Sequence, residues 1–199
     1  MVSNRRRAST DSEMRGKLIN AATDILREQG YAAISYRSIA ERLSLKRQIV
    51  HYYFESIDEL LVLMVQHHHE QALAAFSAAA DTENPLRAIW QMSNDPKLAV
   101  LSLELAALAA RRPAVREVVR QAAEEQRALQ ASILLRHLEE KGLEPRMDVR
   151  FAIFVITSMS QTLAQEDLIG ISTAHDTVRM TVDQALQEFA ETGTSAHLP

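Results

Sequence analysis

The sequence predicts an all-α protein of about nine helices, on three observations. Gly30, Pro85, Pro96, Pro113, Gly142, Pro145, Gly170 and Gly193 fall between segments of helical periodicity rather than inside them. Those segments are rich in Ala, Leu, Glu, Gln and Arg, strong helix formers, with few of the β-branched alternations that mark strands. The chain of 199 residues is 47% hydrophobic, ample for a buried core.

The first helix is expected from about Asp11 to Gln29, opened by a capping box of Thr10 and Glu13 and closed by Gly30. Leu18, Ile19, Ala22, Ile25 and Leu26 give it one apolar face. Two short helices follow, near Tyr36–Leu43 and Lys46–Tyr53. Ser56-Ile57-Asp58-Glu59 reads as a second capping box opening a long helix with Ile57, Leu60, Leu61, Met64, Val65 and His68 in one stripe. Further helices are expected at Leu86–Met92, Lys97–Ala110 and Ala114–Lys141, the last with Val115, Val118, Val119, Ala122, Gln126, Leu129, Ile133 and Leu138 on its apolar face. Two final helices, Arg146–Leu168 and Ala174–Glu191, are separated by a turn at Gly170, with Thr173 and Asp176 capping the second; Thr194–Pro199 reads as a frayed end.

Charge divides the chain unevenly. Residues 1–53 carry ten Lys and Arg against five Asp and Glu, a net +5, whereas the remainder carries −9 within a total of −4. A basic end on an acidic body suggests that the N-terminal part meets a polyanion. With no cysteine, disulfides, thiol nucleophiles and cysteine-ligated zinc are excluded. No apolar run approaches the roughly 20 residues that span a bilayer. The basic start lacks the apolar stretch of a secretory signal, so a cytoplasmic location is expected.

The stretch from Ser38 to Phe54 has the logic of a helix-turn-helix. Ile39, Leu43, Leu45, Val50 and Tyr53 can face inward and lock two short helices, with small Ala40 at their close approach. Lys46, Arg47, Gln48, His51 and Tyr52 then point outward together, supplying the cations, hydroxyls and amides that phosphates and base edges require. Arg37, at the start of the first of these helices, is expected on a phosphate, whereas Tyr31 and Tyr36 are expected to pack. Arg5-Arg6-Arg7 reads equally as a tail or as an arm touching phosphate or the minor groove.

Residues Arg15 to Leu61, with Ala21-Ala22, Gly30-Tyr31, Ile39-Ala40, Leu45, His51-Tyr52-Tyr53-Phe54 and Asp58-Glu59-Leu60-Leu61, resemble the DNA-binding domain of the TetR family of bacterial repressors. The resemblance covers about a quarter of the chain. It implies a subunit of nine helices, three at the N-terminus for DNA and the others for ligand and dimer contacts. This chain departs from the family pattern at Ser44 where the turn usually has Gly, Lys46 where a helix-opening Ser is usual, His51 where Tyr is usual, and Ile57 where a phosphate-holding Lys is usual. Ser44 is nevertheless grouped with Arg37 and the Lys46–Tyr52 set as a candidate DNA contact.

Other sites read more weakly. Consecutive helical residues point about 100° apart, so His67-His68-His69 cannot converge on one ion, and no metal is expected. Ser158 and Ser160 lack a matched His and Asp arrangement; neither catalysis nor a cofactor is expected. Candidate effector contacts are Met64, Phe76, Trp90, Met92, Leu101, Leu105, Gln126, Ile133, Phe154 and Ser158, a mix that favours an apolar or aromatic small molecule. Candidate dimer contacts are Arg150, Phe154, Thr157, Ser158 and Gln161 on the penultimate helix, with Val178, Val182, Leu186 and Phe189 on the last. The expected organisation is a DNA-binding domain over residues 1–55 and an effector-binding and dimerisation domain over 56–199. Together these imply a homodimeric repressor of a palindromic operator in double-stranded DNA, released by its effector, with no membrane partner. An activator or effector-independent regulator is the alternative, and an all-helical enzyme or metal-binding protein the rival from another class.

Overall fold

The computed structural model describes residues 2–145 and 147–192, with side chains of 2–10 and 190 left aside. Arg146, Gly193, the end segment 194–199 and the side chains of Arg5, Arg6 and Arg7 thus lie outside the described residues. Within them the chain is all-helical, without strands, in nine α-helices: α1 Val2–Gln29, α2 Tyr36–Arg42, α3 Arg47–Tyr53, α4 Ile57–Ala79, α5 Pro85–Ser93, α6 Pro96–Arg111, α7 Pro113–Glu140, α8 Val149–Leu168 and α9 His175–Thr192. A short 3-10 helix, Tyr31–Ala33, lies between α1 and α2. No described helix is long and apolar enough to cross a membrane.

Most boundaries follow from local chemistry. Asn84 caps α5 through the Arg87 N–H at 3.0 Å, and Pro85, whose missing N–H costs nothing at a helix start, is its first residue. The Ser56 hydroxyl accepts from the Glu59 N–H at 3.0 Å, while the Glu59 carboxylate accepts from the Glu55 N–H at 2.7 Å rather than from Ser56 itself. Among the boundaries that differ from expectation, three are helix starts. α1 begins at Val2, so Thr10 has no helix end to cap: nothing between Val2 and Thr10 breaks a helix. α8 begins at Val149, because the Asp148 carboxylate caps it from outside by accepting the Arg150 N–H at 2.8 Å. α9 begins at His175 after Ala174, which adopts a left-handed φ of 65°.

The chain packs as two compact units that are not contiguous in sequence. The first comprises the segment ending at His68 together with Leu101–Ala122; the second comprises His69–Val100 and the chain from Ala123 onward. The core of the first brings Leu18, Ala22, Ile25 and Leu26 of α1 against Ile39, Val50 and Phe54, Leu60, Leu61 and Met64 of α4, and Leu101, Leu108 and Val115. The core of the second gathers Phe76, Leu86, Ile89 and Trp90, Ile133, Leu134 and Leu138 of α7, Ile153 and Ile156 of α8, and Val182, Leu186 and Phe189 of α9. Two buried hydroxyls are satisfied on backbone carbonyls: Ser160 donates to Trp90 at 3.0 Å and Thr157 to Ile153 at 2.7 Å.

Candidate nucleic-acid interface and a helical groove

The turn between α2 and α3 is built by backbone hydrogen bonds. The Leu45 N–H reaches the Ala40 carbonyl at 2.8 Å and the Ser44 N–H reaches Glu41 at 3.2 Å, a paired pattern that closes a helix around one left-handed residue. That residue is Ser44, at φ 55°. A Cβ in this region costs roughly 1–2 kcal/mol, which is why glycine suits the position. At the other end of α2, the hydroxyls of Ser35 and Ser38 each accept the other residue's backbone N–H at 3.0 Å.

Apolar side chains then fix the two helices face to face: Ile39, Ala40, Val50 and Phe54 are buried, while Leu43, Leu45 and Tyr53 pack against them half-buried. What remains outside is the expected set, since Arg37, Ser44, Lys46, Arg47, Gln48, His51 and Tyr52 are all exposed, Tyr52 to 76%. Lys46 is the N-cap of α3 and makes no side-chain capping bond. Its charge opposes the helix dipole by roughly 0.3–1 kcal/mol, an arrangement a bound phosphate would reverse. Arg47 Nε donates to His51 Nε2 at 3.2 Å, and the His51 ring lies 3.9 Å from that of Tyr36. Arg37 is paired with Glu41 at 2.7 Å, which holds its guanidinium above its ordinary pKa through the hydrogen bond and then the charge. Tyr36 is half-buried, with its hydroxyl on the Phe54 carbonyl at 3.3 Å.

The candidate effector contacts do not form one group. Met64, Leu101 and Leu105 pack in the first unit; Phe76, Trp90 and Ile133 are buried in the core of the second; Met92, Gln126 and Ser158 are half-buried there, and Phe154 is exposed. Periodicity marks an inward residue but cannot tell which of two cores receives it. In the second unit a groove of about 760 Å³ runs along Arg127, Ala128, Ala131 and Leu135 of α7, past Pro145 and Met147, to Arg150, Ile153 and Phe154 of α8. The Arg127 guanidinium lies 5.5 Å from the Phe154 ring. Of the candidate contacts only Phe154 and none of the others lines this groove. The residues of α7 recur at steps of three and four, a signal readable in the sequence but weaker than the opposite, more apolar stripe.

The candidate dimer contacts require a correction. Val182, Leu186 and Phe189 are buried in the single-chain core, and Thr157 is turned onto its own helix. In the single chain they are thus covered by its own packing. Arg150, Phe154 and Gln161 are exposed, Val178 and Ser158 are half-buried, and Phe151 and Met180, absent from the expected set, are 48% and 66% exposed. Two of the consecutive histidines have separate partners: His68 bonds Thr23 Oγ1 at 2.8 Å and His69 bonds Glu125 at 2.8 Å.

A left-handed turn between two short helices, a shared apolar core and an outward row of cations, amide, imidazole and phenol define a helix-turn-helix DNA-binding regulator. Residues 18–64 match the family described as bacterial regulatory proteins, tetR family. The chain is 29% identical over 171 residues to the HTH-type transcriptional regulator CymR of Pseudomonas putida, covering 82% of this chain and 84% of that protein. It shares its fold with a TetR transcription regulator from Haloarcula marismortui (TM-score 0.69, 21% identity, 87% of this chain and 96% of that one). It also shares its fold with a transcriptional regulator from Saccharomonospora viridis in complex with choline (TM-score 0.73, 18% identity, 92% and 98%). The chain is thus similar to tetR-family transcriptional regulators in its DNA-binding region and in its fold.

Proposed function

We propose that the protein is a homodimeric repressor that binds a palindromic operator and releases it when a small apolar or aromatic molecule binds the second unit. The observation that carries the reading is the exposed set on α3 and its preceding turn, with Lys46 at a helix N-terminus where a phosphate would complete the capping. Residues 1–55 supply the DNA contacts, and residues 56–199 supply effector and dimer contacts. Lys46 and Arg47 hold phosphates, while Gln48, His51 and Tyr52 reach into the major groove. Replacing Lys46 and Arg47 each by Ala is expected to weaken binding to all duplex sequences and to flatten the salt dependence by about one unit for each phosphate no longer neutralised. Unchanged affinity and slope across a salt titration would sink the assignment.

The effector reading is supported by the groove of the second unit, where Ala131, Leu135, Ile153 and Phe154 supply apolar surface beside Arg127 and Arg150, with the Arg127 guanidinium 5.5 Å from the Phe154 ring. Screening a metabolite panel for thermal stabilisation tests it. A stabilising compound should bind the operator complex more weakly than the free protein, because linkage makes the coupling reciprocal. Equal affinities in the two states would separate the groove from DNA binding.

Dimerisation uses the outward faces of α8 and α9, where Phe151, Phe154 and Met180 leave apolar surface exposed. Met180→Asp should shift light scattering toward monomer at micromolar concentration with Tm little changed. A wild-type monomer under those conditions would refute the dimer.

A further inference from the structure

The helix-turn-helix has an entry and an exit, and one side chain touches both. Tyr31, in the 3-10 helix, leads into α2; Asp58, the second residue of α4, follows α3 by five positions. The Arg112 guanidinium donates to the Asp58 carboxylate and to the Tyr31 hydroxyl, and its carbon lies 4.7 Å from the centre of the Tyr31 ring. All three residues belong to the first unit.

The origin of that side chain is rigid. Arg112 is the single residue between α6, which ends at Arg111, and α7, which opens with Pro113. Proline biases the residue before it away from the helical region and so sets the corner. The Arg112 N–H still reaches the Leu108 carbonyl at 2.9 Å. Arg116 then folds back from α7 and donates to the Ala109 and Ala110 carbonyls at 3.0 and 2.9 Å, satisfying the open end of α6. Leu108, Ala109 and Val115 around this corner sit in the same core as Ile39, Val50 and Phe54. The guanidinium thus projects from a braced corner, and its planar fork serves two acceptors at once, which an ammonium on a flexible stem does poorly.

We propose that Arg112 is a positioning residue for operator binding: it ties the entry and exit of the helix-turn-helix to the α6–α7 corner and so sets where α3 is presented. This rests on the dimeric reading above, in which the two recognition helices must match half-sites spaced by about 34–36 Å or a multiple. Non-specific binding, dominated by phosphate charge, has no such requirement.

The test uses an operator selected by the wild-type full-length protein from random-sequence duplexes, with a non-selected duplex as control. Arg112→Ala is expected to lower operator affinity by about tenfold, equivalent to 1.4 kcal/mol. Affinity for the control duplex and the salt slope should stay at wild-type values, since every phosphate-holding cation is still in place. Asp58→Asn made on top of Arg112→Ala should cost less than it does alone, as expected of groups acting through one contact. Should Arg112→Ala fail to fold, Tyr31→Phe removes one acceptor while keeping the ring and is expected to lower operator affinity in the same selective way. Operator affinity within twofold of wild type in the folded variant overturns the proposal. So does a parallel loss on both duplexes with the slope reduced by one, which would make Arg112 itself a phosphate-binding residue. Failure of the wild type to select any sequence would instead strike the operator reading, leaving the two failures distinct.

Discussion

Phe189→Asp is expected to unfold the second unit rather than to dissociate a dimer. Phe189 is fully buried among Val182, Leu186 and the aliphatic residues of α7 and α8. Removing a core aromatic costs about 3–5 kcal/mol from lost transfer and cavity formation alone. An aspartate there must also hold an unpaired charge in an apolar site or take up a proton, each unfavourable. The combined penalty is a large part of the roughly 5–15 kcal/mol that stabilises a typical domain. Circular dichroism should show a lowered or absent cooperative transition. A variant that melts near the wild-type temperature but runs as a monomer would restore Phe189 to an interface and contradict its burial.

The second large effect is a pH dependence centred on His175. The ring is 3% exposed, its Nδ1 lies 2.8 Å from Asp167 and its Nε2 2.8 Å from Glu166. Both nitrogens face carboxylates, and only the imidazolium can donate from both. Arg179 pairs with Asp167 at 2.6 Å and sits 4.0 Å from Asp176, so the end of α8 and the start of α9 are held by two cations among three carboxylates. The hydrogen bond to Glu166, partly offset by burial and reinforced by Asp167, raises the His175 pKa above its ordinary 6.5. A raised folded-state value means the contribution is fully present below about pH 6.5 and is lost as pH rises through the folded pKa.

His137 acts in the opposite sense, because burial and then Lys141 lower its pKa. The net curve therefore mixes the two, and a difference isolates His175. The Tm advantage of wild type over His175→Gln should be larger at pH 6 than at pH 9. A difference independent of pH, or an NMR titration midpoint for His175 below 6.5, would refute the imidazolium assignment.

How much of this was legible depended on whether the signal is local. The helix count, the Gly30 stop, the break at Pro85 and the division of the helix-turn-helix into inward Ile39 and Val50 and outward Lys46, Arg47, Gln48, His51 and Tyr52 all follow from residues within a few positions of one another. Capping, turn conformation and the 3.6-residue period act over that range, so a single sequence carries them. Even there, two expected starts moved: a helix continues through Thr10, and α8 begins at Val149 behind the Asp148 cap.

Tertiary structure decided which partner each apolar face met. Val182, Leu186 and Phe189 have the same spacing whether they face α5, α7 and α8 of their own chain or a second copy, so the pattern alone could not separate core from interface. Met64 and Leu101 resemble Phe76 and Trp90 in residue type, yet the chain passes from one core to the other along α4, and each residue belongs to the core its segment enters. The ties of Arg112 to Tyr31 and Asp58, 81 and 54 positions away, are likewise absent from any local pattern. Burial is set by the summed packing of distant segments, and a charged side chain chooses its acceptors only once those segments have met.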